Sequence, residues 1–295
     1  EATRSALSKL KGRPAVALVF STRINILNAE FGRAMPPWVR VIGQGSPEIV
    51  AVDGADQSQW HDEGTVVAFL CSPHSVTMHV SSLEQDQPID RSVQCVLALW
   101  SSASNPVLVT NKLHEIFPSA ACFGGGVVDP HYVLEGLKWQ KGIVAVTFRG
   151  PLALLPRGMV LFSPAFPTPS VPPLPPIDPM FHGISELSQA WTQEFASLVQ
   201  SVKSQVTQLT SITDCAGALV FRCCARETPP DFDTAVLHGM LRCPVAGCHS
   251  TVAELIPDDS DDDVVVFDPR KAGATLVGMT CVVLAFPTPP RTPTP

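Results

Sequence analysis

The side chains best suited to bind a small polar ligand lie next to short apolar segments of the chain. Arg222 is the clearest candidate, because a guanidinium group can hold a carboxylate through two parallel hydrogen bonds. An alternative stays open, in which Arg222 or Arg226 forms an ordinary core ion pair with Glu254. Ligands of α/β proteins collect where turns converge at strand ends, so we expect the crevice there. The candidate ligand-binding residues are Ser46, Glu48, Asp129, Tyr132, Arg222, His249, Ser250 and Glu254.

Cysteine and histidine residues offer a second kind of chemistry. Zinc takes four Cys or His ligands, and the C-terminal third holds Cys223, Cys224, Cys243, Cys248 and His249. These residues contain no Cys-x-x-Cys pair, and Cys223 and Cys224 would point to opposite faces of a strand. A nucleophilic pair of Cys248 with His249 is disfavoured, because adjacent strand residues cannot face each other. We therefore predict no metal, no cofactor and no catalytic residue.

Two further motifs lack the features of known ligand loops. Gly124, Gly125 and Gly126 are not followed by the Gly-Lys-Ser/Thr ending of a phosphate loop. They indicate a backbone bend or a close approach of chains. The acidic run at residues 258–263 lacks EF-hand spacing and a closing glutamate, which favours a solvated loop that repels stray contacts or attracts a basic partner.

The elements that must position these side chains recur in the sequence. A β-rich apolar strand, a helix and a glycine-containing turn follow one another three times, with about 25 residues from strand to glycine. The glycine turns lie near residues 45, 125 and 247. We therefore predict an α/β (mixed α+β) fold, in which repeated strand-helix-strand-strand units form two related halves with mixed sheets and flanking helices. The predicted helices are 24–35, 106–117 and 230–241, and the last predicted strand is 276–286.

Two segments lie outside this repeat and divide the chain. A proline-rich linker at 163–179 must be extended, because proline fixes φ and lacks the amide donor; it is either a stiff connection or a docking peptide. Residues 184–209 carry apolar side chains at steps of three or four, which predicts an amphipathic helix facing the core or filling a partner's groove. We predict an N-terminal half at 1–162, a C-terminal half at 180–286 and a Pro/Thr-rich tail at 287–295.

Composition limits the classes of partner. Only 16% of the residues are charged, whereas about a quarter is usual, so we expect a protein partner to cover part of the surface. The net charge is -7, which argues against nucleic acid, since its binders need a basic face. The longest apolar run is far shorter than the ~20 residues that a transmembrane helix needs.

Cysteine usage and the first residue bear on location. Nine cysteines without regular spacing predict reduced thiols rather than a secreted disulfide frame. The sequence starts at Glu1 without a methionine, so its N-terminus is either trimmed or processed by removal of a targeting peptide. We expect an intracellular, soluble protein of the cytoplasm or of an organelle such as a plastid.

The same motifs resemble the FIST family, a sensory module of bacterial signalling proteins that also occurs beside an F-box. The resemblance covers roughly residues 5–162 and 180–286, and the motifs that carry it are 16–21, 41–46, 118–126, 142–150, 218–223, 244–247 and 276–280. It implies that the protein binds a small ligand, amino acids among the suggestions, and passes a signal to an output module. No kinase, cyclase or F-box segment is recognisable in these residues.

Three functions follow from these observations. The first is a non-catalytic interaction or scaffold (linker) subunit of a larger assembly, which the low charge fraction and the proline-rich segments favour. The second is a small-ligand sensory domain in signal transduction, which the resemblance favours. The third, a hydrolase, has the least support.

Overall fold

The computed structural model describes residues 7, 8, 10, 12–23, 29–52, 60–71, 75–83, 87–101, 105–127, 133–136, 138–161, 200, 203, 204, 207, 214–226, 237, 241–257, 267, 271–278 and 280–288. Several predicted features lie outside these residues. They are the proline-rich linker, the acidic loop, the tail from residue 289, most of the helices predicted at 184–209 and 230–241, and the site candidates Asp129 and Tyr132.

The described strands form three sheets, each built around one long buried strand. The first sheet has the order β10-β9-β2-β1-β5, the second β16-β15-β8-β7-β11-β6 and the third β12-β17-β13-β14-β3-β4. In chain order, the strands are β1 (Pro14–Ser21), β2 (Arg40–Gly45), β3 (Ile49–Val52), β4 (Trp60–His61), β5 (Thr65–Cys71), β6 (Thr77–Ser82), β7 (Cys95–Ser101), β8 (Ala121–Val127), β9 (Val133–Glu135), β10 (Lys138–Gln140), β11 (Ile143–Arg149), β12 (Arg157–Leu161), β13 (Cys215–Cys223), β14 (Val245–Ser250), β15 (Glu254–Ile256), β16 (Thr275–Val277) and β17 (Cys281–Pro287).

The three sheets repeat one pairing scheme. The central strands β1, β7 and β13 each pair in parallel with the next long strand, β2, β8 and β14 respectively. On the other side each pairs antiparallel with β5, β11 or β17. We call β1–β5 unit 1, β7–β11 unit 2 and β13–β17 unit 3. The central strands are apolar and almost wholly buried, as expected of strands covered on both faces. The strands thus stack in the same way three times, as the recurring sequence pattern predicted, while most of the helix predicted at 230–241 lies outside the described residues.

The units exchange strands, which the sequence did not predict. In the first sheet β2 pairs with β9 of unit 2, and in the second β8 pairs with β15 of unit 3. In the third sheet β14 pairs with β3 of unit 1, so the exchange runs cyclically through all three units. Each exchanged strand brings its hairpin neighbour, β10, β16 or β4. Strands from both sides of residues 163–179 therefore share the second and third sheets.

One glycine in each unit allows the parallel strands to approach. Gly43, Gly124 and Gly247 lie opposite Val19, Ala98 and Val220 in the three registers. A Cβ atom at these positions would lie only 2.0, 1.8 and 2.0 Å, respectively, from the carbonyl oxygen of the facing residue. The close approach expected near Gly124 is therefore present in each unit, and these glycines lie within strands rather than in turns.

Two described α-helices connect a central strand to its parallel neighbour. They are α1 (Ala29–Ala34) and α2 (Pro106–Ile116). Asn105 caps α2 by accepting a hydrogen bond from the backbone N–H of Val107, and Pro106 suits the first turn because its missing N–H needs no partner there. Neither described helix is long and apolar enough to cross a membrane.

The predicted mixed α/β class with flanking helices is wrong. Of the described residues, 53% lie in strands and only 14% in helices. Several strands are described in each unit, and the short strands β4, β9 and β10 lie in segments to which the sequence pattern assigned no structure. The last strand predicted at 276–286 is also two strands, β16 and β17, which belong to different sheets.

Candidate functional site

A buried polar cluster lies where the strands of unit 3 end. Its centre is Arg222 in β13, which faces His249 in β14. Arg222 Nη1 lies 3.3 Å from His249 Nε2 and also donates to the carbonyl of Cys223, while Nη2 donates to the carbonyl of Arg226. Arg222 is only 1% exposed, so its positive charge is held almost entirely away from water.

His249 links this guanidinium to the first unit. Because Arg222 is a donor, Nε2 accepts and the ring proton lies on Nδ1, which is 3.5 Å from the Glu48 carboxylate. Burial, and then the neighbouring charge of Arg222, lower the His249 pKa to about 4, so the ring is neutral at neutral pH. Ser46 Oγ lies 2.6 Å from the Glu48 carbonyl and 2.9 Å from the His249 carbonyl. The Glu48 side chain is 38% exposed and marks the rim of the cluster.

Glu254 places a carboxyl group in the protein interior. It is 0% exposed, and burial raises its pKa to about 8, even though the hydrogen bond from Thr280, the nearby Ser250 hydroxyl and the charge of Arg222 act in the opposite direction. Glu254 is therefore protonated at neutral pH. Thr280 Oγ1 donates to Glu254 Oε2 at 3.1 Å. Glu254 Oε1 and Ser250 Oγ are buried without a partner in hydrogen-bond geometry among the described residues.

The other two units show that the fold does not require this polarity. The residues equivalent to Glu254 are Ile49, opposite Cys248, and Val133, opposite Gln44. Both are buried and apolar. A buried ionisable group is costly where an apolar residue fits the same position, so Glu254 calls for an explanation other than folding.

The positions of Arg222 and His249 can be compared among the three units in the same way. Ser21 and Trp100 occupy the position of Arg222, and Gly45 and Gly126 occupy that of His249. At the position of Thr280, unit 1 and unit 2 have glycine, since Thr22, Ser101 and Cys223 donate equivalent backbone hydrogen bonds to Gly64, Gly142 and Thr280. Unit 3 alone thus combines these polar groups.

Glycine makes room for the cluster on the side of unit 2. Gly125 lies opposite Glu254 in the register of β8 with β15. A Cβ atom at Gly125 would be 2.2 Å from Ser250 Oγ and 3.1 Å from Phe221 Cδ1. The uninterrupted Gly124–Gly126 run therefore serves both the strand approach at Gly124 and the space beside the Ser250 hydroxyl.

Six of the eight predicted site residues are described, and the structure brings them together. Ser46, Glu48, Arg222, His249, Ser250 and Glu254 surround one region at the ends of β2, β13 and β14. Sequence reasoning missed Thr280, Gly125 and Gln44. The Nε2 atom of Gln44 is buried and has no described hydrogen-bond partner. Alignment of the three units would have revealed Thr280, since its equivalents are glycines.

Other features of the structure lie apart from this cluster. An open cavity of about 350 Å³ lies beside the start of β2, between Pro36, Arg40, Val80 and Glu135, and includes no residue of the cluster. Within the described ranges, no group of three or more His, Cys, Asp or Glu side chains is arranged to hold a metal ion.

The sequence was compared with family models and with curated proteins. No family model matches the sequence, and no curated protein is significantly similar to it. The resemblance to the FIST family therefore stays a prediction from the motifs.

Proposed function

We propose that the protein is a non-catalytic binding protein whose polar cluster in unit 3 takes a small ligand with a carboxylate group, of the amino-acid type. One observation carries the proposal. Two buried polar atoms, Glu254 Oε1 and Ser250 Oγ, have no partner in full hydrogen-bond geometry among the described residues, although the two side chains lie close to each other. The residues equivalent to Glu254 in the other two units are apolar. Buried polar atoms in proteins are generally paired, so unpaired ones point to a ligand or an ion pair that is completed on binding.

The charges of the cluster select the ligand. At neutral pH Arg222 is a cation, His249 is neutral and Glu254 is a neutral acid that can donate a hydrogen bond. A carboxylate would accept from Arg222 and from the protonated Glu254, whereas the ring N–H of His249 faces Glu48. The Glu48 carboxylate at the rim could pair with an ammonium group. Together they fit a zwitterion that enters with its carboxylate first.

Thermal unfolding with a ligand panel tests this proposal. The panel is the twenty common amino acids, with acetate and succinate as carboxylates that lack an ammonium group. A ligand at 100 times its Kd adds about 2.7 kcal/mol, which corresponds to roughly 5 °C in Tm for a chain of this size. Arg222→Met should abolish the shift, while Arg149→Met, which changes a half-exposed arginine far from the cluster, should retain it.

Two results would overturn the proposal. One is a panel in which no compound raises the Tm of the unmodified protein. The other is an equal shift in the protein and in Arg222→Met. Should that variant fail to fold, Ser250→Ala removes one small hydroxyl, which has no partner in full hydrogen-bond geometry, and gives the same discrimination.

We propose scaffolding as a second function, because one sheet edge is favourable for it. β6 lies outside β11 in the second sheet and β12 outside β17 in the third, but no described strand lies outside β5 in the first. β5 (Thr65–Cys71) contains neither proline nor charge, so its edge can accept an antiparallel strand from a partner protein. This is consistent with the low charge fraction of the chain.

A bulky maleimide on the exposed Cys71, at the end of β5, tests the scaffold proposal. Protein purified from its native source should migrate as a complex, and the label should dissociate the partner. Cys71→Ser protein treated identically is the control and should keep the partner. A lone monomer, or a complex indifferent to the label, would contradict this function.

A further inference from the structure

Two cysteines lie side by side at the opposite end of the third sheet from the polar cluster. Cys215 is the first residue of β13, and Cys243 comes two residues before β14. The two strands are parallel neighbours, and the N–H of Ala218 donates to the carbonyl of Pro244 at 2.9 Å, so the chains already run together there. Neighbouring strands are about 4.8 Å apart, which is within the Cα separation that a disulfide spans.

The two thiols interact directly and differ in character. Cys243 is 4% exposed and belongs to an apolar cluster against which the partly exposed Cys215 packs. A hydrogen bond between the thiols lowers the Cys215 pKa and raises that of Cys243, which is the behaviour of an acceptor sulfur beside a donor thiol. Burial raises the Cys243 pKa further. Cys215 is thus the nucleophile of the pair and Cys243 the protonated partner.

The backbone before Cys243 has an unusual conformation. Arg242 has φ 52°, the left-handed region that side chains other than glycine, asparagine and aspartate adopt rarely. This residue turns the chain from the buried Leu241 into the position where the Cys243 thiol meets Cys215. Because Arg242 directly follows the helical residue Leu241, it ends that segment and leads the chain into Cys243 and β14.

We propose that Cys215 and Cys243 form a redox-active dithiol, which hydrogen peroxide converts into an intramolecular disulfide. The Cys215 thiolate attacks one peroxide oxygen, the O–O bond breaks, and the leaving hydroxide takes a proton to give water and a sulfenic acid. The Cys243 sulfur then attacks the Cys215 sulfur, the S–O bond breaks, and a second water leaves. The two sulfurs lose two electrons and two protons in total, and the peroxide is reduced to two waters.

A second pair of buried thiols, Cys95 and Cys122, lies on neighbouring strands but has a different arrangement. The two residues belong to different apolar clusters on opposite faces of the second sheet. Burial raises the pKa of both, that of Cys122 to about 12. They provide an internal comparison, because their thiols should stay reduced under conditions that oxidise the pair.

Peptide mapping after peroxide treatment tests the proposal in the full chain. Cys71→Ser/Cys224→Ser protein removes the two exposed thiols and should yield a single cross-linked peptide joining 215 to 243, which dithiothreitol reverses. The oxidised protein should melt roughly 5 °C higher, since the disulfide closes a loop of nearly 30 residues. In Cys243→Ser, dimedone should trap the Cys215 sulfenic acid.

Two results would overturn the proposal. One is full alkylation of Cys215 and Cys243 after peroxide treatment and denaturation. The other is a disulfide that joins either residue to a different cysteine. Mapping the unsubstituted protein gives the same reading if the doubly substituted background does not fold.

Discussion

Thr280 Oγ1 donates a 3.1 Å hydrogen bond to Glu254 Oε2, and both side chains are buried at positions where the sister units have glycine and an aliphatic residue. The two departures from the repeat therefore occur together. Thr280 satisfies one oxygen of the acid and leaves the other, Oε1, buried without a partner in hydrogen-bond geometry among the described residues. This pair distinguishes unit 3 from the other two units.

Thr280→Val should destabilise the protein by about 1–3 kcal/mol, because Glu254 Oε2 would be left buried and unpaired. Urea unfolding at pH 7 measures this difference. Thr147→Val is the matched control: Thr147 is also buried, but its hydroxyl makes only a long 3.4 Å contact with the carbonyl of His79, and we expect a smaller cost. Equal costs for the two variants would contradict a specific role for the Thr280 hydroxyl.

Glu254→Gln should remove a pH dependence of stability without unfolding the protein at neutral pH. The folded pKa of Glu254, about 8, lies above its ordinary value of 4.5. Relative to the variant, the stability of the unmodified protein is therefore greatest below pH 4.5 and declines as the pH rises to 8, by roughly 4 kcal/mol in total. Chemical unfolding at a series of pH values gives the difference. A flat difference curve would show that Glu254 is ionised in the folded protein.

His249→Gln should reveal the opposite slope. Because burial lowers the His249 pKa from 6.5 to about 4, the unfolded chain takes up the proton first as the pH falls. Relative to the variant, the unmodified protein should lose roughly 3 kcal/mol between pH 6.5 and 4 and none above 6.5. NMR titration of the imidazole checks the cause independently. A folded-state pKa near 6.5 would refute it.

Alanine at Gly43, Gly124 or Gly247 should be strongly destabilising, by about 3 kcal/mol or more in each case. The added Cβ atom would overlap the facing carbonyl oxygen and push the parallel strands apart. Gly278→Ala is the matched control, since a Cβ atom there meets nothing within 4 Å, and its Tm should change little. Thermal unfolding of the four variants tests the expectation, and a mild effect at any of the three strand glycines would contradict the shared geometry.

The local features of this fold were predictable from sequence, and the long-range ones were not. The central strands and α2 have strong apolar patterns and clear boundary residues such as Pro106. The exchanged strands are short, and the periodicity of a segment such as Val133–Glu135 is too brief to distinguish it from a turn. Which sheet a short strand joins depends on pairing across the whole chain, and no local pattern encodes it.

The candidate site also had a local part that was predictable from sequence and a long-range part that was not. Arg222, His249, Ser250 and Glu254 were recognisable because polar residues interrupt an apolar pattern near strand ends. Their meeting with Ser46 and Glu48 depends on β3 joining the third sheet, which the sequence pattern did not indicate. Thr280 could not be recognised from its own sequence context, because a threonine between two strands is common. It stands out only when it is compared with the glycines at the equivalent positions of the other two units.

The cyclic strand exchange has a consequence for how the chain is made. β3 emerges from the ribosome roughly 200 residues before its partner β14. The edge of β3 that pairs with β14 is therefore unpaired during most of synthesis. No single unit can complete its sheet by itself, because each unit contributes one hairpin to the sheet of another unit and receives one hairpin from the third. Assembly of the last unit therefore completes the second and third sheets, whereas the first sheet needs only units 1 and 2. Nascent chains that stall before β14 are the species most exposed to aggregation.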